Sequence, residues 1–413
     1  MIVPKYESFS IVNLISTLLN HYGIACLYPP LPNVVLPQHQ KLVFIVIDGL
    51  GYKFLKKHGL NSHLERFLTA QAPNYLCEPE HKKDRSSNKE WERNNSPTLP
   101  PPQVLTSVFP STTAAGLTSL MTGVAPLQHG LTGWFMYYRE LATAGIPLPF
   151  NLRCQKKSFS ELGIYLHDLY QFQTIFNQIH KSMVIVAPQA TTGSPFSNYC
   201  YQNKPQTVFD DIEEFFHILE KELTHSTTEI IYAYLPYFDS LAHKNGVNSS
   251  TVIDYFHLLD RLFKRFIDQL DQDTLVILTA DHGMLDTSEN YTLQMINYPE
   301  LQKCLILPLC GEPRMPFCYV RPSKIDVFRD IVDHNLYDFC QRYTLQDMLD
   351  RRVFGLFTPN PKFYDRVGDE ILVMKDNFIF YDQVYQEEKE VLIGCHGGVS
   401  EDEMLVPLII IKK

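Results

Sequence analysis

The chain has 413 residues, 45% of them hydrophobic and 20% charged. That is enough apolar material for a sizeable core, and it excludes a largely disordered or collagen-like polymer. With 46 acidic against 36 basic side chains the formal net charge is −10, which excludes a bulk basic footprint for nucleic acid but not a phosphate ester held at a locally positive site.

In chain order, the apolar positions 11, 12, 14, 15, 18 and 19 give an amphipathic helix rather than the solid apolar run of a signal peptide. No run approaches the ~18 apolar residues of a membrane span. The expectation is a cytoplasmic protein, with export lacking a cleaved signal left open. Residues 42–47 are apolar on both faces, as a buried parallel strand requires, and Asp48-Gly49 ends the run. Residues 78–95 hold ten charged side chains and 96–102 four prolines, so 76–103 is read as a charged, Pro-rich surface insertion. Small residues after Pro110 open a predicted helix over 113–121. Strands are predicted at 183–187, 230–235 and 274–279, and helices of 3.6 period at 208–223 and 252–270. Residues 288–390 are rich in Pro and Tyr, with β-like pieces at 317–320 and 377–381 and a helical piece at 325–339. The last strand, 405–411, contains Pro407, which predicts an edge position or a late start.

Strands alternating with helices predict an α/β fold, a three-layer α/β/α sandwich around a mostly parallel sheet. The predicted division is a catalytic core of 1–287 and 391–413, with 288–390 as an inserted α+β cap. Nine cysteines at irregular spacing, none in C-x-x-C, predict scattered, mostly buried thiols in a reducing compartment. A bridge within Cys304, Cys310 and Cys318 stays open.

The strand ends carry the chemistry. Asp48 follows the first strand, Asp239 and His243 follow 230–235, Asp281 and His282 follow 274–279, and His396 precedes the last strand. Singly, an Asp in such a place caps a helix more often than it binds metal. As a set, three Asp and three His supply two adjacent divalent sites, suited to zinc or to manganese. Two ions roughly 4 Å apart are a recurrent solution to phosphoryl transfer. The hydroxyls at 111–113 are candidate nucleophiles, because a helix N-terminus offers unpaired N–H groups to a phosphate; an ordinary Ser/Thr N-cap is the alternative.

The motifs, in order, are Val-Ile-Asp-Gly-Leu-Gly around Asp48, Phe-Pro-Ser-Thr-Thr to Leu-Met-Thr-Gly around Thr113, and Gln-His-Gly-Leu-Thr-Gly at 128–133. Phe-Asp-Ser-Leu-Ala-His around Asp239, Thr-Ala-Asp-His-Gly-Met around Asp281 and His-Gly-Gly at 396 complete the set. Over residues 42–410 this set resembles the alkaline phosphatase superfamily, most closely its nucleotide pyrophosphatase/phosphodiesterase branch. The resemblance implies Thr113 as nucleophile, with one metal on Asp48, Thr113, Asp281 and His282 and another on Asp239, His243 and His396. It also implies zinc as the usual metal and a phospho-threonine intermediate that water then hydrolyses. Thr at the nucleophile position favours this branch over alkaline phosphatases and sulfatases. Eukaryotic members hold a phosphate oxygen with an Asn where this chain has Trp134, so the backbone N–H of Ala114 is expected to serve instead. Trp134 either stacks on a substrate ring or packs in the core. The implied activity is cleavage of phosphodiester or pyrophosphate bonds in a nucleotide-like small molecule, without a stable nucleic-acid complex. A phosphomonoesterase, a phosphonate hydrolase and a non-catalytic binding module are the alternatives.

Overall fold

Residues 1–70, 103–155, 157–384, 387 and 392–413 are described by a computed structural model. The charged insertion expected at 76–103 lies outside these residues, except for Gln103. Seven strands form the central sheet: β1 (Lys41–Ile47), β2 (Val104–Thr106), β3 (Met183–Pro188), β4 (Gln206–Phe209), β5 (Ile230–Leu235), β6 (Thr274–Thr279) and β7 (Leu405–Lys412), in the order β2-β7-β6-β1-β5-β3-β4. The buried β-branched and aromatic runs occupy its centre. There β1 pairs in parallel with β5 on one side and β6 on the other. The register sets Ile47 opposite Leu235 and Val46 opposite Thr279, so the three strands finish at one level and the residues after them emerge together.

Of the two places expected from Pro407, an edge or a late start, the last strand does not take the edge, and its longer ladder starts late, at Leu408. It runs antiparallel between β6 and β2. β2 covers Leu405–Pro407, and pairing with β6 starts at Leu408. A residue with no N–H therefore sits where the strand changes partners, before the longer ladder begins. β2 and β4, of three and four residues, have no counterpart among the strands predicted from sequence. Val208 and Phe209 lie in β4 rather than in the following helix, which starts after its cap, Asp211.

Five helices matter for the site: α1 (Ile11–His21), α2 (Thr113–Thr122), α3 (Ile212–Thr224), α4 (Tyr237–Asn245) and α5 (Ser250–Gln269). Ser10, Asp211 and Ser249 cap α1, α3 and α5 with side-chain oxygens, fixing where each begins. The packing pairs are α1 with α2, α4 with α5 and α5 with α3.

A second sheet of four antiparallel strands is built from Cys310–Glu312, Met315–Cys318, Glu370–Met374 and Cys340–Thr344, adjacent in that order. The helix Ile325–Asn335 packs on it through Phe328 and Val332. Ile379–Tyr381, inside the second predicted β-like piece, pairs instead with Thr292–Gln294. The hairpin 310–318 reaches back to the first sheet's loops, where Gly311 and Phe135 exchange backbone hydrogen bonds of 2.7 and 3.0 Å. All eight described cysteines are free, six of them buried, and the trio Cys304, Cys310 and Cys318 carries no bridge. Among the described residues no helix is long and apolar enough to cross a membrane.

Candidate active site

The aligned ends of β1, β5 and β6 deliver acidic and imidazole side chains to one place. Asp48 leaves β1 directly and is buried. Past β5 the chain turns at Pro236 into α4, so Asp239 and His243 share a helix face, Oδ2 to Nε2 at 3.3 Å. After β6, His282 Nε2 lies 3.3 Å from Asp48 Oδ1 and 3.5 Å from Asp281 Oδ2. His396 Nε2 lies 3.9 Å from Asp239 Oδ1, and its ring stacks on that of His282 with centroids 3.9 Å apart. Thr113 Oγ1 lies 3.1 Å from His282 Nε2. Two trios of donor atoms result, each within 4.8 Å: Asp239, His243 and His396, and Asp48, Asp239 and His282. Asp239 belongs to both. Asp281 enters neither, although it abuts the second.

The imidazoles are oriented by carbonyls. Nδ1 of His243 contacts Gly394 O at 2.8 Å, Nδ1 of His282 contacts Gly283 O at 3.1 Å, and Nδ1 of His396 contacts Ser111 O at 3.2 Å. A carbonyl only accepts, so each Nδ1 carries the proton and each Nε2 offers a lone pair inward. These lone pairs meet carboxylates that also lack donors: Asp48 Oδ1, Asp239 Oδ1 and Asp281 Oδ2 are buried without a hydrogen-bond partner. Burial and then the neighbouring Asp281 and Asp239 push Asp48 well above the usual carboxylate range. Burial raises Asp281 as well, against the opposing pull of His282. Burial and then His282 and His243 drive His396 well below the usual imidazole value. A cluster of acceptors in which Asp48 and Asp281 resist charge and His396 resists protonation suits a divalent cation, and its mixed O/N donors fit one.

Helix α2 brings its N-terminus to this cluster. A Cβ on Gly116 would stand 2.8 Å from the Asp281 carbonyl oxygen, so only glycine lets the helix sit this close. Thr112 is the N-cap by backbone geometry but makes no capping bond. No described residue accepts from the N–H groups of Thr113, Ala114 or Ala115. A cavity of about 340 Å³ includes Thr113 in its lining, together with Asp48, Asp239, Trp134, Leu148 and Phe196. Trp134 is half-buried and lines this cavity rather than being sealed in the core.

Two neighbours carried no sequence signal. The Tyr234 hydroxyl donates to Asp48 Oδ2, from a strand where it read only as apolar filling. Glu312 Oε1 accepts from Thr112 Oγ1 and from the Trp134 N–H, each at 2.6 Å. Burial, and more weakly Asp239, lift Glu312 to about 8 although both hydrogen bonds oppose the rise. His129, in the Gln-His-Gly motif, belongs to neither trio of donor atoms. It accepts the Leu131 N–H at Nδ1 and contacts Ser119 Oγ at 3.0 Å, and burial lowers it to about 3, so it is a neutral brace for α2.

Residues 42–398 match the family described as type I phosphodiesterase / nucleotide pyrophosphatase. The chain belongs to this family. This phosphodiesterase-family chain therefore sits among phosphodiesterase- and pyrophosphatase-type hydrolases of the alkaline phosphatase superfamily. Its fold is similar to that of murine ectonucleotide pyrophosphatase / phosphodiesterase 5, solved in an inactive form with AMP: TM-score 0.60, 15% identity, 89% of this chain and 87% of that one. Phosphonoacetate hydrolase from Sinorhizobium meliloti 1021, solved with phosphonoformate, is similar at TM-score 0.60 and 15% identity over 91% of each chain. A curated relative, GPI ethanolamine phosphate transferase 3 of Schizosaccharomyces pombe, is 24% identical over 249 residues, which are 59% of this chain. The matched region spans 22% of that relative's length.

Proposed function

We propose that the chain hydrolyses phosphodiester or pyrophosphate bonds of nucleotide-like small molecules, with Thr113 as nucleophile beside two divalent ions, zinc or manganese. The observation that carries this reading is the approach of Thr113 Oγ1 to His282 Nε2, at the uncapped start of α2, against buried carboxylate oxygens that have no donor. Asp48, Thr113, Asp281 and His282 would hold one ion, and Asp239, His243 and His396 the other. Bound there, divalent cations supply Lewis-acid stabilisation of phosphoryl charge. The chain's own part is orientation. The free N–H of Ala114 receives a non-bridging oxygen, and Trp134 and Phe196 border the space for the organic group. Thr113 Oγ1 forms a P–O bond as the ester P–O bond breaks, and its proton ends on the departing alcohol. Water attacking from the opposite face then breaks the Thr113–phosphorus bond, restoring the hydroxyl.

The test is a substrate panel with zinc and with manganese: bis(p-nitrophenyl) phosphate, p-nitrophenyl phosphate, a dinucleotide and a phosphonate. Preferred diester or dinucleotide cleavage supports the reading. Preference for the monoester or the phosphonate replaces it with that activity, and no turnover with either metal leaves a binding module. The similarity to an ethanolamine phosphate transferase favours one second reading, transfer of the phosphoryl group from Thr113 to an alcohol. Product analysis with an added alcohol acceptor separates transfer from hydrolysis. The free thiols of the eight described cysteines support a reducing, cytoplasmic site of action, which cell fractionation tests.

A further inference from the structure

We infer that Glu312 is a positioning residue that keeps the N-terminus of α2 open for phosphoryl oxygens by drawing the Thr112 hydroxyl away from it. The inference rests on the reading of that helix start as the phosphoryl cradle.

Thr112 has the extended backbone of an N-cap, φ −131° and ψ 150°. A threonine in that conformation ordinarily turns its oxygen onto the second or third N–H of its helix. Here that would close over Ala114 or Ala115. Instead the hydroxyl donates to Glu312 Oε1 at 2.6 Å, and no capping bond forms. The same Oε1 takes the Trp134 N–H at 2.6 Å. The backbone N–H of Trp134 is thereby committed to Glu312 and is not offered to a phosphate.

The surroundings are shaped to admit the carboxylate. Glu312 is 5% exposed. A Cβ on Gly133 would stand 2.7 Å from Gly311 Cα, and one on Gly397 would stand 2.7 Å from Glu312 Cβ. Side chains at either position would force out the strand that carries Glu312. A buried carboxylate is costly unless its oxygens are used, and Oε1 of this one joins the Thr112 loop to the Trp134 segment.

The experiment compares four proteins loaded with zinc: wild type, Glu312→Ala, Glu312→Gln, and Glu312→Ala combined with Thr112→Val. Turnover of bis(p-nitrophenyl) phosphate and inhibition by orthovanadate are measured, with metal content and Tm as controls for folding. Glu312→Ala frees the Thr112 hydroxyl to cap α2, and kcat/KM and vanadate affinity should fall about 2- to 30-fold, the cost of displacing an N-cap hydrogen bond. Glu312→Gln keeps an acceptor oxygen and should stay near wild type. In the double variant no hydroxyl is left to cap the helix, so both readouts should recover. A role confined to bracing the fold would not be repaired by deleting a second hydrogen bond. The inference is overturned if Glu312→Ala leaves vanadate affinity unchanged, or if the double variant is no better than the single one. If wild type cleaves no diester, the functional reading fails by itself, and the ranking of vanadate affinities still decides the role of Glu312.

Discussion

Tyr234→Phe removes one oxygen atom from the wall of the site and leaves the ring that fills it. Burial and the adjacent Asp48 hold the Tyr234 phenol well above its ordinary value, so it is a hydrogen-bond donor at any usable pH. Its acceptor is Asp48 Oδ2, and the other Asp48 oxygen has no partner. A hydrogen bond to a charged group is worth ~1.5–3 kcal/mol net. At 1.4 kcal/mol per tenfold, its loss weakens a cation held by Asp48 by about 10- to 100-fold, the usual range for such supporting contacts. The effect is local, because Asp239, His243 and His396 form a group that does not include Asp48. The hydrogen bond from Tyr234 also lowers the Asp48 pKa. Without it the metal competes with a more tightly held proton, and the deficit should shrink as pH rises. Zinc titration against a chromophoric chelator, fitted to two sites, reads both effects. Unchanged affinity at both sites, or equal weakening at both, would refute the reasoning.

Thr113→Ala should abolish diester turnover while the protein still binds metal by elemental analysis; an active variant removes Thr113 from the nucleophile role. In the metal-free protein Asp48 and Asp281 both have raised pKa values. Their contribution to stability is fully present below the ordinary carboxylate range and is lost as pH rises through the raised values. The Tm of chelator-treated protein should therefore fall as pH rises above the ordinary carboxylate range, while zinc-loaded protein holds its Tm; parallel curves would count against a metal-neutralised cluster. Arg314 and Glu403 form a buried pair with two contacts of 3.0 Å. Arg314→Met should cost ~3–5 kcal/mol in urea unfolding, because it strands a buried carboxylate. A loss below ~1 kcal/mol would mean that water reaches the pair.

Much of the site was legible because its residues sit at strand ends. A short, largely β-branched run such as 42–47, ended by Asp48-Gly49, suits a buried parallel strand, and residues just past the carboxyl ends of such strands border the ligand crevice. Asp48, Asp239, Asp281 and the histidines beside them were found that way. Short elements were not legible. Residues 104–106 form a strand only because β7 lies next to them, and 206–209 only because β3 does; neither has a period of its own to read. Pro407 pointed to an edge for a similar reason, since the sequence does not reveal that β2 takes the outer side. Tyr234 and Glu312 escaped through chemistry rather than length. A Tyr in an apolar strand reads as core, and Glu312 lies 200 residues from the Thr112 hydroxyl it holds.

The arrangement divides the work between two layers of structure. The first sheet supplies the charges: every carboxylate and imidazole of the cluster leaves a strand end or lies in the loop before β7. Geometry at the two loops that flank them is set by one hairpin of the second sheet. Glu312 holds Thr112, next to the candidate nucleophile. Arg314, two residues on, holds Glu403, whose Oε1 accepts the Gly398 N–H two residues beyond His396. The turn between Glu312 and Arg314 thus links Thr112 to the loop after His396 through buried hydrogen bonds, of which those of the Arg314–Glu403 pair are charge-assisted. The spacing between the candidate nucleophile and the loop that carries His396 is therefore tied to how the second sheet docks on the first.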